Sequence, residues 1–185
     1  MSAIKSVCVY CGSSPGSNVL FLQQATALGA LLAKAGLGLV YGGGTNGLMG
    51  AVAKSAHANG GHVTGIIPDF LLNREATVGE MDFIDELIVT KDMHERKHTM
   101  FERSDAFITL PGGIGTLEEV VEMMTWAQLG RHNKPIILAN FDAFWSPFVD
   151  MLDHMAQAGF IHTADRVKPL VMDNMDAIMT ALKQK

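Results

Sequence analysis

The sequence predicts a single doubly wound α/β domain over residues 1–185, a parallel sheet with helices on both faces. Three observations carry that prediction. Short apolar runs alternate with helix-like stretches along the whole chain. The runs are continuously apolar rather than alternating, which suits strands buried on both faces. Glycine or other small residues fill several of the strand-to-helix turns.

Each element follows from local pattern. Val7–Tyr10 reads as the first strand, and Asn18–Ala35 as the helix after it. Leu37–Tyr41 and His62–Ile67 read as the next two strands, with a helix over Leu48–Ala58 between them. About Asp69–Asp85 is the longest irregular stretch, and a loop of that length in a compact domain is often functional. Glu86–Thr90 and Ala106–Leu110 are strands flanking a helix over Met93–Arg103. A helix over Leu117–Leu129 leads to the strand Pro135–Ala139. The chain finishes with a helix over Ala143–Ala158, a short seventh strand near Lys168–Met172 and a helix over Asn174–Lys183. No linker or repeat divides this Rossmann-like order.

Composition narrows the function. A chain of 185 residues holds one domain with a sizeable core. An apolar fraction of 48% and a charged fraction of 18% describe an ordinary soluble protein. The net charge of −5 and the lack of a basic run argue against nucleic acid as a partner. No basic-then-apolar leader and no apolar run of membrane length occur, so the expectation is a cytoplasmic protein with no membrane partner. Cys8 and Cys11 alone do not make a disulfide framework. An acidic chain that binds an anion must concentrate its cations, and Arg96, Lys97 and Arg103 are the obvious cluster.

In open parallel sheets, ligands lie beyond the carboxyl ends of the strands. Cys11–Ser17, Gly42–Gly47, Pro68–Glu86 and Pro111–Thr116 are the loops expected there. The last is the most informative. Glycines at a strand-to-helix turn let a ligand approach the backbone, and the helix start offers free N–H groups to an anion. Gly112, Gly113 and Gly115 form that turn, and Thr116 adds a hydroxyl. Glu119 follows one helical turn later, so an acid stands beside a phosphate cradle. Acids also favour a helix's first turn for its dipole, and Glu118 and Glu119 fit that reading too. Adjacent helical residues point about 100° apart, so the two cannot face one site equally.

Residues 111–119, Pro-Gly-Gly-Ile-Gly-Thr-Leu-Glu-Glu, resemble the Pro-Gly-Gly-x-Gly-Thr-x-x-Glu signature of the LONELY GUY family, the cytokinin riboside 5′-monophosphate phosphoribohydrolases. Met93-His94-Glu95-Arg96-Lys97 and the stretch from Gly42 to Gly50 match two further family elements in the same order. The resemblance runs from about Ser6 to the end of the chain. It implies hydrolysis of the N-glycosidic bond of AMP or an N6-substituted relative, giving free base and ribose 5-phosphate. It implies Glu119 and Arg96 as catalytic residues. Gly112, Gly113, Gly115 and Thr116 would hold the 5′-phosphate, and Met93 would lie near the base. Lys97 would meet the nucleotide, and Glu75 resembles a substrate-binding acid on the family's long loop. Gly43, Gly44 and Thr125 join the expected substrate-binding set. So does Ser13 on the first sheet-top loop, which could touch phosphate or ribose or simply form the turn. Glu118, at a variable position of the family pattern, is counted with them but mainly supports the helix start. The chemistry needs no metal or organic cofactor, and the family implies a homodimer.

Other readings compete on the same residues. Gly42-x-Gly44-x-x-Gly47, with Asp69 after the next strand, literally fits a dinucleotide fingerprint. It stands at the second strand-helix turn, however, and leaves the second glycine turn without a ligand. A nucleoside monophosphate held between both turns fits better. His94-Glu95-Arg96-Lys97-His98 matches the zinc-protease spacing, but Arg96 and Lys97 would crowd a dication. Cys8-x-x-Cys11 lies within and just after a strand, with no helix start at Cys11 to activate a thiol. A pyridoxal-phosphate decarboxylase needs a Schiff-base lysine, and Lys97 beside Arg96 is a poor candidate. A non-catalytic nucleotide or cofactor carrier on the same fold would keep the glycine turns without needing Glu119 and Arg96.

Overall fold

The computed structural model describes residues 3–75, 79–161 and 168–183. Seven strands form one sheet in the order β4-β3-β2-β1-β5-β6-β7, and every pairing is parallel. The strands are β1 (Ser6–Tyr10), β2 (Gly38–Tyr41), β3 (Val63–Pro68), β4 (Glu86–Thr90), β5 (Ala106–Thr109), β6 (Ile136–Ala139) and β7 (Leu170–Met172). The helices are α1 (Val19–Lys34), α2 (Gly47–Ala58), α3 (Asp69–Glu75), α4 (Met93–Glu102), α5 (Ile114–Gln128), α6 (Ser146–Gln157) and α7 (Met175–Lys183). The chain builds outward from β1 to β4, then crosses back to lay β5 on the other side of β1. The loops after β1 and β5 therefore diverge at the switch point, where open α/β sheets hold their ligands.

Double burial explains the continuous apolar runs. Along β1, Val7, Val9 and Cys11 join one core, whereas Cys8 and Tyr10 join the other. β5 divides likewise, Ala106 and Ile108 to one side and Phe107 to the other. The first core takes α1, α2 and α7, and the second takes α4, α5 and α6.

Three expected boundaries move. α6 begins at Ser146, three residues after the expected start at Ala143, because Phe141–Ala143 forms a separate 3-10 turn. The stretch from Asp69 is not irregular throughout, because Asp69–Glu75 forms α3. That helix is about two turns long, too short for a clear 3.6-residue period. α5 begins at Ile114, three residues before the expected start at Leu117. Its N-cap is Gly113, and its first turn contains no acid. Glu118 and Glu119 consequently lie beyond that first turn, and the dipole explanation for them loses its basis. The expected role of Glu118 in supporting the helix start is corrected on the same ground.

α1 and α2 pack with little space between their backbones. A Cβ on Gly29 would stand 2.2 Å from the Val52 carbonyl oxygen and 2.9 Å from the Ala56 nitrogen. The Ser55 hydroxyl donates to the Thr26 carbonyl at 2.6 Å across the same contact. Between α5 and β6, His132 is buried, its Nε2 2.9 Å from the Met123 carbonyl oxygen. Its Nδ1 accepts the Lys134 N–H at 3.1 Å, which makes Nε2 the protonated donor of a neutral ring. The sequence showed no partner for this histidine because both are backbone groups.

Two stability outcomes are expected. Gly29→Ala forces α1 and α2 apart and lowers unfolding free energy by about 1–3 kcal/mol despite alanine's better helix propensity; urea denaturation checks it. Burial pushes the His132 pKa below its ordinary value. The unfolded ring then binds protons that the folded ring refuses, so its contribution is complete above about pH 6.5 and fades as pH falls below that value. The gap in urea midpoint between wild type and His132→Gln should narrow from neutral toward pH 5.5, about one unit below that ordinary value.

Candidate active site

A cleft of about 360 Å³ opens at the carboxyl ends of the central strands. Its floor is the end of β1 and the loop after it: Tyr10, Cys11, Gly12 and Ser13. One wall is the start of α5, where Gly113, Ile114, Gly115 and Thr116 precede Glu118 and Glu119. The opposite side brings Gly42, Leu71 of α3, and Met93, Arg96 and Met100 of α4. A smaller apolar cavity of about 110 Å³ lies between α5, α6 and β7, lined by Met124, Val149, Leu152 and Val171. Its only charged lining residues are Asp153 and Lys168, and it has no glycine turn or helix start, so the sheet-top cleft is the site to consider.

Local sequence explains how the cleft is held open. The Gly12 N–H donates to the Pro111 carbonyl at 3.1 Å, and the Gly12 carbonyl accepts from Leu48 and Met49 at 3.1 and 3.3 Å. Three loops thus meet at one residue. Gly47, at φ +58, passes so close that a Cβ would lie 2.3 Å from the Ser13 carbonyl carbon. Gly112 sits beneath Thr116, whose hydroxyl oxygen would stand 2.2 Å from a Cβ there. Gly113 and Gly115 differ, since a Cβ on either would meet nothing within 4 Å. Both line the cleft, so the space beside them is left for a ligand. No side chain caps α5, and the N–H groups of Ile114, Gly115 and Thr116 precede its first intrahelical bond, Leu117 N–H to Gly113 carbonyl. An anion would satisfy them.

Arg96 is the buried cation of the site, only 5% exposed. Its Nε donates to the Ile66 carbonyl at 3.2 Å and its Nη2 to the Gly42 carbonyl at 3.0 Å. Nη1 lies 3.8 Å from the Met93 sulfur. A carbonyl within β3 and one just beyond β2 thereby fix the guanidinium plane inside the cleft. Glu119 is also buried and lines the same cleft, whereas the Glu118 side chain is half exposed. Glu119 bears on its surroundings: after burial itself, its charge is the next cause raising the Cys8 and Cys11 thiol pKa values. Both thiols are free and held protonated.

The other predicted residues fall into distinct places. Ser13, Met93, Gly113, Gly115, Thr116 and Glu118 line the cleft with Glu119 and Arg96. Lys97 does not; its Nζ is 3.3 Å from Glu122 and also bonded to Glu118. Gly43 and Gly44 stand back from the cleft, and Gly42 is the member of the triplet that lines it. Gly43, at φ +76, backs onto Ile67, so its need for glycine is a tight turn. Gly112 faces the adjoining depression lined by Ser14, Phe21 and Phe144. Thr125 is exposed on α5, donating to the Val121 carbonyl at 2.8 Å. Glu75 ends α3, and its side chain lies outside the described ones. Sequence reasoning did not single out Tyr10, Leu71 and Met100. Each reads locally as core or loop, and only the fold brings them to one edge.

The zinc-like pattern resolves into helix capping. Asp92 caps α4 by accepting the Glu95 N–H at 2.8 Å, and the Glu95 carboxylate reaches back to accept the Lys91 N–H, the residue before the cap, at 2.9 Å. That hydrogen bond to its ionised form holds the Asp92 carboxyl below its ordinary pKa. His94 and His98 are exposed, and among the described residues no three metal-binding side chains converge.

Gly42 gives the cleft a specific test. A Cβ there would lie 2.3 Å from Arg96 Nη2. Gly42→Ala should leave the fold intact but displace the guanidinium, lowering turnover about 10-fold or more, the scale of losing a charged hydrogen bond. Turnover and thermal melting on the same preparation separate displacement from unfolding.

A family model described as possible lysine decarboxylase matches residues 49–182. A probable cytokinin riboside 5′-monophosphate phosphoribohydrolase of Oryza sativa subsp. japonica is 44% identical over 181 residues, covering 98% of this chain and 77% of that protein. A cytokinin riboside 5′-monophosphate phosphoribohydrolase of Arabidopsis thaliana is 48% identical over 165 residues, covering 89% and 71%. Among solved structures, the molybdenum cofactor binding protein of Rippkaea orientalis superposes with a TM-score of 0.71 at 23% identity, over 99% of this chain and 97% of that one, a likeness of fold. The decarboxylase description does not suit the cleft, where among the described residues no lysine stands and Lys97 is tied to Glu118 and Glu122. By its relatives and by the motifs that build this cleft, the chain belongs to the LONELY GUY family.

Proposed function

We infer that the protein is a cytokinin riboside 5′-monophosphate phosphoribohydrolase. It hydrolyses the N-glycosidic bond of an adenine nucleoside 5′-monophosphate and releases free base and ribose 5-phosphate. The observation that carries this reading is a buried carboxylate and a buried guanidinium, Glu119 and Arg96, lining one cleft with an uncapped helix start. The names of relatives at 44% and 48% identity support it.

The roles follow from placement. The 5′-phosphate sits against the N–H groups of Ile114, Gly115 and Thr116, in the space kept open by Gly113 and Gly115. Thr116 adds its hydroxyl. Cleavage develops positive charge on the ribose through an oxocarbenium-like transition state. Glu119 stabilises that charge and activates the attacking water. Arg96 holds the nucleotide and balances the acid. Met49, Leu71, Met93 and Met100 give the cleft apolar surface against which adenine and an N6 substituent pack. A carrier of the same fold has no use for a carboxylate next to a bound phosphate, which repels it.

The working unit is a homodimer. Ile114 (82% exposed), Val121 and Leu129 (70% exposed) form an open apolar stripe along α5, with Thr125 between them. Thr125 does not line its own cleft, so a role in substrate binding requires a second copy. Two free, buried cysteines suit a reducing cytoplasm.

Incubation with AMP and with isopentenyladenosine 5′-monophosphate, followed by chromatography, should show free base and ribose 5-phosphate. Adenosine should be far poorer, because the phosphate supplies much of the binding. Glu119→Gln should lower kcat by roughly 10²-fold or more with little change in binding. Glu118→Gln should keep most turnover. Equal kcat/KM for nucleoside and nucleotide, or near-wild-type chemistry in Glu119→Gln, would overturn the reading.

A further inference from the structure

A depression of about 390 Å³ adjoins the cleft on the other side of the turn into α5. Gly12, Ser13 and Gly113 line both hollows, so the two meet at one ridge. A Cβ on Gly113 would meet nothing within 4 Å, so the ridge is low there. From it the cleft runs to α4 and α5, whereas the depression reaches Phe21 of α1, Leu48 of α2 and Phe144. The two hollows make one trough across the switch point of the sheet. The hydrolase reading occupies only the half that holds Glu119 and Arg96.

Chemistry narrows what the other half takes. Ser13, Ser14 and Ser17 are exposed and contribute hydroxyls, and Phe21 and Phe144 contribute aromatic surface. The two rings meet edge to face, centroids 5.4 Å apart and planes at 79°, and Phe144 stays 36% exposed. Among the described lining residues there is no lysine, arginine or histidine. The start of α1 is already capped, since Asn18 Oδ1 accepts the Leu20 N–H at 3.0 Å. Asn18 Nδ2 donates to the Asp142 carboxylate at 2.8 Å, which puts a negative charge at the rim. Hydroxyls and aromatic faces without a cation suit a neutral ring, not a second phosphate.

Phe144 is held in place by an unusual turn. Asp142 and Ala143, just before it, have φ of +53 and +55. Left-handed backbone is uncommon at alanine, and two such residues in succession persist only where their surroundings hold them. The Asn18–Asp142 bond and the Trp145 N–H donating to Asn140 Oδ1 at 2.7 Å supply that hold. Strain of this kind clusters at ligand clamps, and here it presents a ring to open space beside the phosphate site.

We propose that the depression is a second binding subsite, which receives a neutral ring esterified to the 5′-phosphate, so that cleft and depression together bind an adenine nucleoside 5′-phosphodiester. The phosphate stays at the α5 start, its nucleoside lies in the cleft, and the ester group crosses the ridge at Gly113 to pack on Phe144. Binding alone is assigned, and no bond forms or breaks. The proposal rests on the reading of the α5 start as the phosphate site.

Two diester probes of equal charge test it. Adenylyl-(3′→5′)-adenosine carries a second ring, and the methyl ester of AMP carries none. Both are titrated by calorimetry, beside AMP, into Glu119→Gln to suppress turnover. The dinucleoside should bind about tenfold tighter than the methyl ester, toward the low end for a base stacked on an aromatic side chain. Adding Phe144→Ala should erase that advantage and leave AMP and the methyl ester unaffected, whereas Phe144→Trp should keep it. Phe144→Ala alone should hydrolyse AMP like wild type. Equal affinity of the two probes, or an advantage that survives Phe144→Ala, would overturn the subsite while AMP hydrolysis by wild type stands. AMP that binds without being hydrolysed by wild type would sink the hydrolase reading and leave the subsite in place. Failure of AMP itself to bind would remove both.

Discussion

The site depends on one buried cation. Arg96 comes from α4, but its guanidinium is fixed by carbonyls of Gly42, just beyond β2, and Ile66, within β3. A charge taken out of water is costly unless hydrogen-bonded and neutralised. That requirement ties α4 to the sheet's upper edge and leaves Gly42 no room for a side chain. It also favours a buried carboxylate and a bound phosphate nearby. A well-packed apolar side chain would serve stability as well as a buried charge does. Arg96 is therefore better understood through ligand than through fold.

Glycine performs two opposite tasks at this edge. Gly12, Gly42, Gly47 and Gly112 let protein approach protein, with loop backbone, a guanidinium or a threonine side chain in the space of the missing methyl. Gly113 and Gly115 have no protein in that space and face the cleft. The first group builds the walls, and the second leaves them accessible. The motif Pro-Gly-Gly-x-Gly-Thr contains both kinds, which is why its spelling alone does not say which glycine meets a ligand.

Most of the architecture was legible because double burial leaves a strong mark on strands. β4 was expected at its observed bounds, and β1, β2, β3, β5 and β6 within a residue at either end. α3 was missed because seven residues carry little periodicity. The start of α5 was placed late because Gly115 reads as loop, yet a helix's first turn tolerates glycine where no intrahelical N–H bond is yet required. Arg96 and Glu119 could be named from a motif and from their chemistry. The separate fates of Lys97, Gly43 and Thr125 could not, because they turn on which residues from distant elements meet. Lys97 finds Glu118 and Glu122 only when α5 packs beside α4.

That pairing bears on how the acids of α5 divide their work. Glu118, Glu119 and Glu122 lie within about one turn and a half, close enough to repel each other. Lys97 holds both Glu118 and Glu122, and its pKa is raised by them against the opposing effect of burial. Glu119 is buried in the cleft with Arg96. Each cation of the adjacent Arg96–Lys97 pair thus stands with different acids of α5. Adjacent residues on α4 point about 100° apart, just as Glu118 and Glu119 do on α5. The same angular offset on two packed helices separates a structural ion pair from a chemical one. It explains why neighbours so alike in charge are not interchangeable.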